Sequence, residues 1–398
     1  MRILFVTQYY YPEQFQINEI APELVKRGHQ VTVLTGLPNY PSGIVDKEYR
    51  GRQRRDEIID GVRVIRCFEI GRRKGKMNLA SNYISYATSA SLKARRIKEK
   101  YDVVICYQLS PVTMACPAIV YKKKYNCKSL LYCLDIWPES AQAHVSNDKG
   151  ILYQWISLIS KSIYNQFDRL LVTSQPFIDY MHEVNDIDLN KLSYLPQHAD
   201  DSYLEMDLSA AEDDIADFMY AGNLGHGQVV ENIILATAEL KDLDNFKVHI
   251  VGGGTKADDL KELAQEHSVG DKIIFHGHRS RDQMPEMYKK ADVLLITLRG
   301  NNYVGNTMPG KLQVYMTTGK PILGAINGAA NQVITESGCG KSVAAGDYAG
   351  LARIMREYIE NPGKFSDCGR KGGEYFRTNF TMDTFINGLE QALTDLVQ

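Results

Sequence analysis

Short β-rich runs alternate with helical stretches along most of the 398 residues, and that alternation admits few folds. Residues 2–7 read as a strand, and residues 17–27 as an amphipathic helix stopped at Lys26-Arg27-Gly28, where glycine supplies the left-handed cap. Val31–Thr35 follows as a second strand. Strand, helix and strand within about 35 residues form a βαβ unit, which requires a parallel sheet covered by helices. The pattern recurs in Val62–Phe68, Val103–Tyr107, Ser129–Leu134 and Leu170–Thr173, with helices over residues 81–100 and 151–167 between them. Trp155 falls in the second of these helices and is predicted to pack in the core.

Around Leu195-Pro196-Gln197-His198-Ala199-Asp200 the rhythm stops, and a polar, acidic segment runs through Asp213-Asp214. It then resumes with Phe218–Ala221, Lys247–Val251, Lys272–His276, Val293–Thr297 and Pro321–Gly324 as strands. A chain this long exceeds a single hydrophobic core. The fold class is therefore α/β, with two doubly wound domains, residues 1–200 and 201–378, followed by a closing segment 379–398. Facing each other, two such sheets leave a central cleft at the carboxyl ends of their strands, where doubly wound sheets bind ligands.

Composition removes several other classes. Hydrophobic residues at 44% and charged residues at 24% are ordinary for a globular protein. The seven cysteines show no CxxC pair or metal-ligand spacing and read as reduced core residues; no metal site is predicted. The opening run Met1-Arg2-Ile3-Leu4-Phe5-Val6 turns polar at Thr7, too short for a secretion signal, and no apolar stretch of roughly 18 residues follows. A cytoplasmic location is the resulting expectation. The net charge of -2 hides an asymmetry: residues 1–198 hold 27 Lys and Arg against 19 Asp and Glu, the remainder 19 against 29. The basic half is either an ordinary solvated face or a surface drawn to anionic headgroups or a pyrophosphate-linked acceptor, each cation contributing roughly 1 kcal/mol beside such a membrane. Nucleic acid is not expected, because no binding motif accompanies the charge.

Three segments of the second half carry candidate phosphate chemistry. Gly222-Asn223-Leu224-Gly225-His226-Gly227 is a glycine-rich turn between strand and helix, suited to presenting amides and a helix dipole to an anion, though its spacing is not that of a dinucleotide site. Val251-Gly252-Gly253-Gly254 is a second such turn. In Asn306-Thr307-Met308-Pro309-Gly310-Lys311 a helix start coincides with a lysine, so dipole and cation both favour a donor phosphate. In the first half, Asp135-Ile136-Trp137-Pro138-Glu139 follows a strand and lies at the ligand-binding edge, where two carboxylates four residues apart can handle a proton; Asp135 can equally cap the next helix. His198 reads as structural.

Together with Val6-Thr7-Gln8-Tyr9-Tyr10-Tyr11-Pro12-Glu13, Arg27–Gly36, Leu37-Pro38-Asn39-Tyr40-Pro41 and Gly310-Lys311-Leu312-Gln313-Val314-Tyr315-Met316, these segments resemble the retaining family 4 glycosyltransferases, and more narrowly the bacterial branch that builds O-antigen and capsule. The resemblance implies a GT-B fold of two Rossmann-like domains, with Met382–Val397 crossing back to the first. It implies a hexosyl or N-acetylhexosaminyl transfer from a nucleotide sugar, UDP before GDP, to a lipid-linked or other glycan acceptor, with no obligatory metal and on the inner membrane face. Donor binding falls to Gly222, Asn223, Leu224, Gly225, Gly252, Gly253, His278, Arg279, Asn306, Met308, Gly310 and Lys311. Acceptor binding falls to Tyr10, Tyr11, Asn39, Tyr40, Trp137 and Glu139. Asp135 is the candidate for orienting or deprotonating the acceptor, with Glu13 in reserve and Lys311 stabilising the leaving group. The sequence departs from the family pattern, placing Asn223 and Gln228 at the usual phosphate Arg and Lys, and Asn306 and Val314 at the usual glutamates. Two further readings share the resemblance: a noncatalytic scaffold in a polysaccharide assembly complex, and a nucleotide-sugar 2-epimerase.

Overall fold

The computed structural model describes residues 1–143, 150–210, 213–300 and 307–398. They form two compact units, one of Met1–Pro196 with Phe385–Gln398, the other of Gln197–Thr384.

The first unit is built on β1 (Arg2–Val6), β2 (Gln30–Thr35), β3 (Asp56–Ile59), β4 (Val62–Arg66), β5 (Val103–Gln108), β6 (Lys128–Cys133), β7 (Arg169–Val172) and β8 (Leu192–Tyr194). In space they run β3-β4-β2-β1-β5-β6-β7-β8, all parallel except β3, which folds back antiparallel on β4. The central strands are apolar on both faces because helices cover both: Ile3, Leu4, Phe5 and Val6 are all buried. β3 and β8 escape the sequence pattern for a physical reason. The first is an acidic edge ribbon with Ile58 turned to solvent, and the second has only three residues. The helix expected over 81–100 spans Lys76–Arg96, since its first turn is polar and carries no apolar period to reveal it.

Trp155 corrects the sequence reading. The helix Ile151–Tyr164 does exist, but Trp155 is 61% exposed on it, and Ile151, Leu152, Leu158 and Ile159 are exposed with it. The helix buries Ser160, Ile163 and Tyr164 instead. Periodicity identifies an apolar stripe without saying what covers it.

The second unit carries β9 (Ala216–Ala221), β10 (Phe246–Val251), β11 (Ile273–Gly277), β12 (Val293–Thr297), β13 (Ile322–Ala325) and β14 (Gly340–Val343). Their order, β11-β10-β9-β12-β13-β14, is wholly parallel, and the direction of winding reverses between β9 and β12. Side chains alternate across β9, Phe218 and Tyr220 entering one core and Met219 and Ala221 the other. The closing helix Met382–Val397 contributes Phe385, 5.5 Å from the Tyr132 ring, and Glu390, which accepts hydrogen bonds from Arg27 and His29, to the first unit. No helix among the described residues is long and apolar enough to cross a membrane.

Candidate active site

In the second unit, the chain leaves β9 and β10 through two turns that lock together. Gly222 (φ +153°) donates its amide to the Val251 carbonyl at 2.9 Å, and Leu224 donates to the Gly253 carbonyl at 2.9 Å. A Cβ on Gly252 (φ +143°) would lie 1.8 Å from the Gly222 carbonyl oxygen, and one on Gly254 2.4 Å from that of Leu224. The glycines therefore allow one backbone to approach another. The expected cradle of amides from Gly222 to Gly225 is corrected accordingly: two are spent inside the fold, and those of Asn223 and Gly225 make no hydrogen bond among the described residues.

Lys311 enters this turn from the helix Gly310–Met316. Its Nζ stands 3.5 Å from the centroid of the Tyr220 ring and 3.4 Å from Gln228 Oε1. A Cβ on Gly222 would meet Lys311 Cε at 2.6 Å and Nζ at 2.7 Å, so only glycine leaves room for the ammonium. Burial alone holds Lys311 down at about 7, because no carboxylate among the described residues neutralises it. Beside it a cavity of ≈ 430 Å³ is walled by Gly222, Asn223, Gly252, Gly253, His278 and Arg279, with Met284 and Tyr288 adding apolar surface. Arg279 is exposed, its guanidinium donating to the neighbouring His278 carbonyl at 3.4 Å.

Several predicted donor residues lie apart from the cavity. Leu224 is buried in the core, and Met308 packs against the core on the other face of the sheet, as does Val314, which stands at a usual glutamate position. Gly310 is the exposed first residue of its helix. Asn306, with Asn301 and Asn302, lies outside the described residues. Tyr220, Met284 and Tyr288 join the site without having been assigned to it from the sequence, and Gln228, which stands at the usual phosphate Lys position, meets Lys311 there.

In the first unit a cavity of ≈ 270 Å³ gathers Tyr9, Phe15, Tyr40, Arg72, Tyr83, Leu109, Ser110, Asp135 and Trp137. They come from segments following β1, β2, β4, β5 and β6, around the point between β1 and β5 where the winding reverses. Burial raises the Asp135 carboxyl above its ordinary value, opposed by hydrogen bonds from the Ser110 hydroxyl and amide. Trp137 Nε1 donates to the same Ser110 hydroxyl at 3.1 Å. Tyr9 and Phe15 stack at 5.1 Å, with Tyr40 edge-on to Tyr9 at 6.1 Å.

The remaining predicted acceptor residues are engaged elsewhere. Tyr10 is buried in the core and Tyr11 is exposed outside the cavity. Asn39 donates to the Leu37 carbonyl and the Glu69 carboxyl, and its Oδ1 accepts from the Arg72 amide at 2.8 Å. Glu13 Oε1 accepts from the amides of Asn39 at 2.8 Å and Tyr40 at 2.6 Å, while burial raises its carboxyl to about 7. These two residues fasten the loop that presents Tyr40. Glu139 does not pair with Asp135, since its Oε1 accepts from the hydroxyls of Tyr153 and Tyr180 at 2.7 and 3.0 Å. Asp135 bonds back to Ser110 rather than capping the turn that follows it.

Two doubly wound sheets, each with a cavity at the carboxyl ends of its strands, define the GT-B class. Family models agree: one described as Glycosyltransferase Family 4 matches residues 15–202, and one described as Glycosyl transferases group 1 matches residues 207–374. The chain belongs to the family 4 glycosyltransferases of the GT-B fold. It is similar to a glycogen synthase of Mycobacterium tuberculosis, 22% identical over 98% of this chain and 94% of that one. It is also similar to the putative colanic acid biosynthesis glycosyl transferase WcaI of Escherichia coli K12, 24% identical over 80% of this chain and 82% of the relative. Among solved structures, Anabaena Alr3699/HepE in complex with UDP superposes with a TM-score of 0.71 at 15% identity, covering 100% of both chains.

Proposed function

We propose that the protein transfers a hexosyl or N-acetylhexosaminyl unit from a nucleotide sugar, UDP-linked before GDP-linked, to a lipid-linked or other glycan acceptor in bacterial surface-polysaccharide synthesis, with retention at the anomeric carbon. One observation carries this: a buried lysine without a counter-charge among the described residues, pressed against a glycine that lines a cavity. An anion at that place relieves the cost of burying the ammonium, and a diphosphate is the anion that a sugar transfer releases. Lys311 and Arg279, with the amides of Asn223 and Gly225, stabilise the departing oxygen, so the reaction needs no obligatory metal. In the acceptor cavity Asp135 accepts a proton from the attacking hydroxyl. Attack on the face the leaving group vacates gives retention. The solved UDP complex of the Anabaena protein and the putative colanic acid role of WcaI support the choice of nucleotide and pathway class. A thermal-shift panel of nucleotide sugars tests the reading. A donor at a hundred times its dissociation constant should stabilise the protein by about 2.7 kcal/mol. A panel without any shift, or donor isomerised in the absence of an acceptor, overturns it.

We place the enzyme at the inner face of the cytoplasmic membrane, bound by the helix Ile151–Tyr164. The occupant that suits its exposed stripe is an anionic bilayer. Trp and long aliphatic side chains favour the headgroup boundary, and the unit carrying them is the cationic half of the chain. Trp155→Ser combined with Leu158→Ser should weaken binding to phosphatidylglycerol-containing vesicles at least about tenfold, since each buried apolar side chain contributes roughly 1.5–3 kcal/mol. Cosedimentation equal to the parent protein's removes the helix from this role.

A further inference from the structure

We infer that the acceptor is an acidic saccharide, whose phosphate or carboxylate is held by Arg72 while its ring lies among the aromatic walls of the first unit's cavity. The inference rests on reading that cavity as the acceptor site. Its volume of ≈ 270 Å³ suits a small unit, and four of its walls, Tyr9, Phe15, Tyr40 and Tyr83, offer ring faces or edges to a sugar. Among them stands one guanidinium. Arg72 lies 5.8 Å from the ring centroids of both Tyr40 and Tyr83, and its Nη1 reaches the Tyr9 hydroxyl at 3.4 Å.

Several arginines of this unit make no ion pair among the described residues, and Arg72 is the one that lines the cavity. Arg27, Arg54, Arg63 and Arg66 each pair with a carboxylate at 2.7–3.1 Å, as structural arginines do. Arg72 makes no ion pair among the described residues, although Asp135 lines the same cavity. Its backbone is nonetheless fixed. The amide donates to Asn39 Oδ1, and its carbonyl oxygen would lie 2.4 Å from a Cβ on Gly43 (φ +76°), so the two loops are wedged together. A guanidinium held in place, flanked by aromatic rings and left unpaired is a fork for two oxygens of one anionic group. Asp135, elsewhere on the wall, remains available to a hydroxyl. The cavity thereby offers opposite charges to two parts of one ligand, which a neutral sugar does not use.

The test is direct binding by titration calorimetry in saturating UDP, so that the donor cavity is filled, with three probes: methyl α-glucoside, methyl α-glucuronide and glucose 1-phosphate. The parent protein should bind at least one acidic probe ten- to a hundredfold more tightly than the neutral one, as expected for a charge-assisted bond. The glucuronide and phosphate arms separate carboxylate from phosphate. Arg72→Gln should erase the preference, and Arg72→Lys should keep part of it. Equal binding of all three probes, binding of none, or a preference that survives Arg72→Gln overturns the inference. A separate UDP titration reports on the donor reading, so its failure is distinguishable from failure at Arg72. Unliganded melting of both variants checks their folding.

Discussion

Replacing Lys311 with Met should remove most of the nucleotide-sugar binding and at the same time make the unliganded protein more stable. Loss of a pre-positioned cation at the leaving diphosphate should lower kcat/KM by about 10²–10³. The stability gain follows from the same burial. In the unfolded chain the lysine titrates at its ordinary 10.5, in the folded one at about 7. Below pH 7 the ammonium is charged in both states, and the fold bears the full cost of enclosing it, at most about 5 kcal/mol. Between pH 7 and 10.5 the folded state holds the neutral amine while the unfolded chain remains charged, so the cost shrinks as pH rises. It vanishes above 10.5. Urea denaturation of the unliganded parent should therefore show stability rising across this window, and the Met variant should lack that component. Donor binding reverses the shift, because a diphosphate favours the ammonium. At pH 8 the parent should take up a fraction of a proton on binding UDP-sugar, read by calorimetry in buffers of different ionisation enthalpy. A full thermal shift by donor in the Met variant would remove Lys311 from the phosphate site.

The parts of this molecule legible in its sequence are those set by local period. β1, β5, β6, β9 and β12 are short apolar runs ended by polar or glycine residues, and each lies within a residue or two of its expected place. Edge elements are less visible: β3 and β14 bury too little to leave a pattern. Lys311 stands out in the sequence because a cation sits at a helix start. Its partners Tyr220 and Gln228 are separated from it by about half of the second unit, and only the β9-to-β12 adjacency brings them together. The same holds for Arg72 and Tyr83, which no motif marks and which the sheet order carries to Asp135. Residues close in sequence misled for the opposite reason. Glu139 lies four positions from Asp135, yet two tyrosine hydroxyls claim it. The first glycine turn suits phosphate by its spacing, yet two of its four amides, those of Gly222 and Leu224, are committed to carbonyls of the second turn. Spacing reports reach, whereas burial and competing partners decide use.

Asp135→Asn should eliminate most transfer, by about 10²–10⁴ in kcat, while leaving donor affinity within twofold. Asn keeps the shape and can still meet the Ser110 hydroxyl and amide, so a merely structural role would be preserved by the substitution. What it removes is the capacity to take a proton from the acceptor hydroxyl. The pH profile gives an independent reading. Burial raises the Asp135 carboxyl above the ordinary carboxylate value, and only its ionised form is a base. Transfer should accordingly fall as pH drops through that raised value and level off above it, whereas the residual activity of the Asn variant should lack this limb. Glu13 supplies the control, because its own carboxyl is raised to about 7 and would impose a similar limb if it were the base. Its Oε1 accepts two backbone amides, a task a glutamine carbonyl can also perform. Glu13→Gln should thus hold the Tyr40 loop in place, cost less than about tenfold and retain the acid limb of the profile. If Glu13→Gln removes that limb and Asp135→Asn does not, the proton leaves by the other carboxylate and the assignment of the base is reversed.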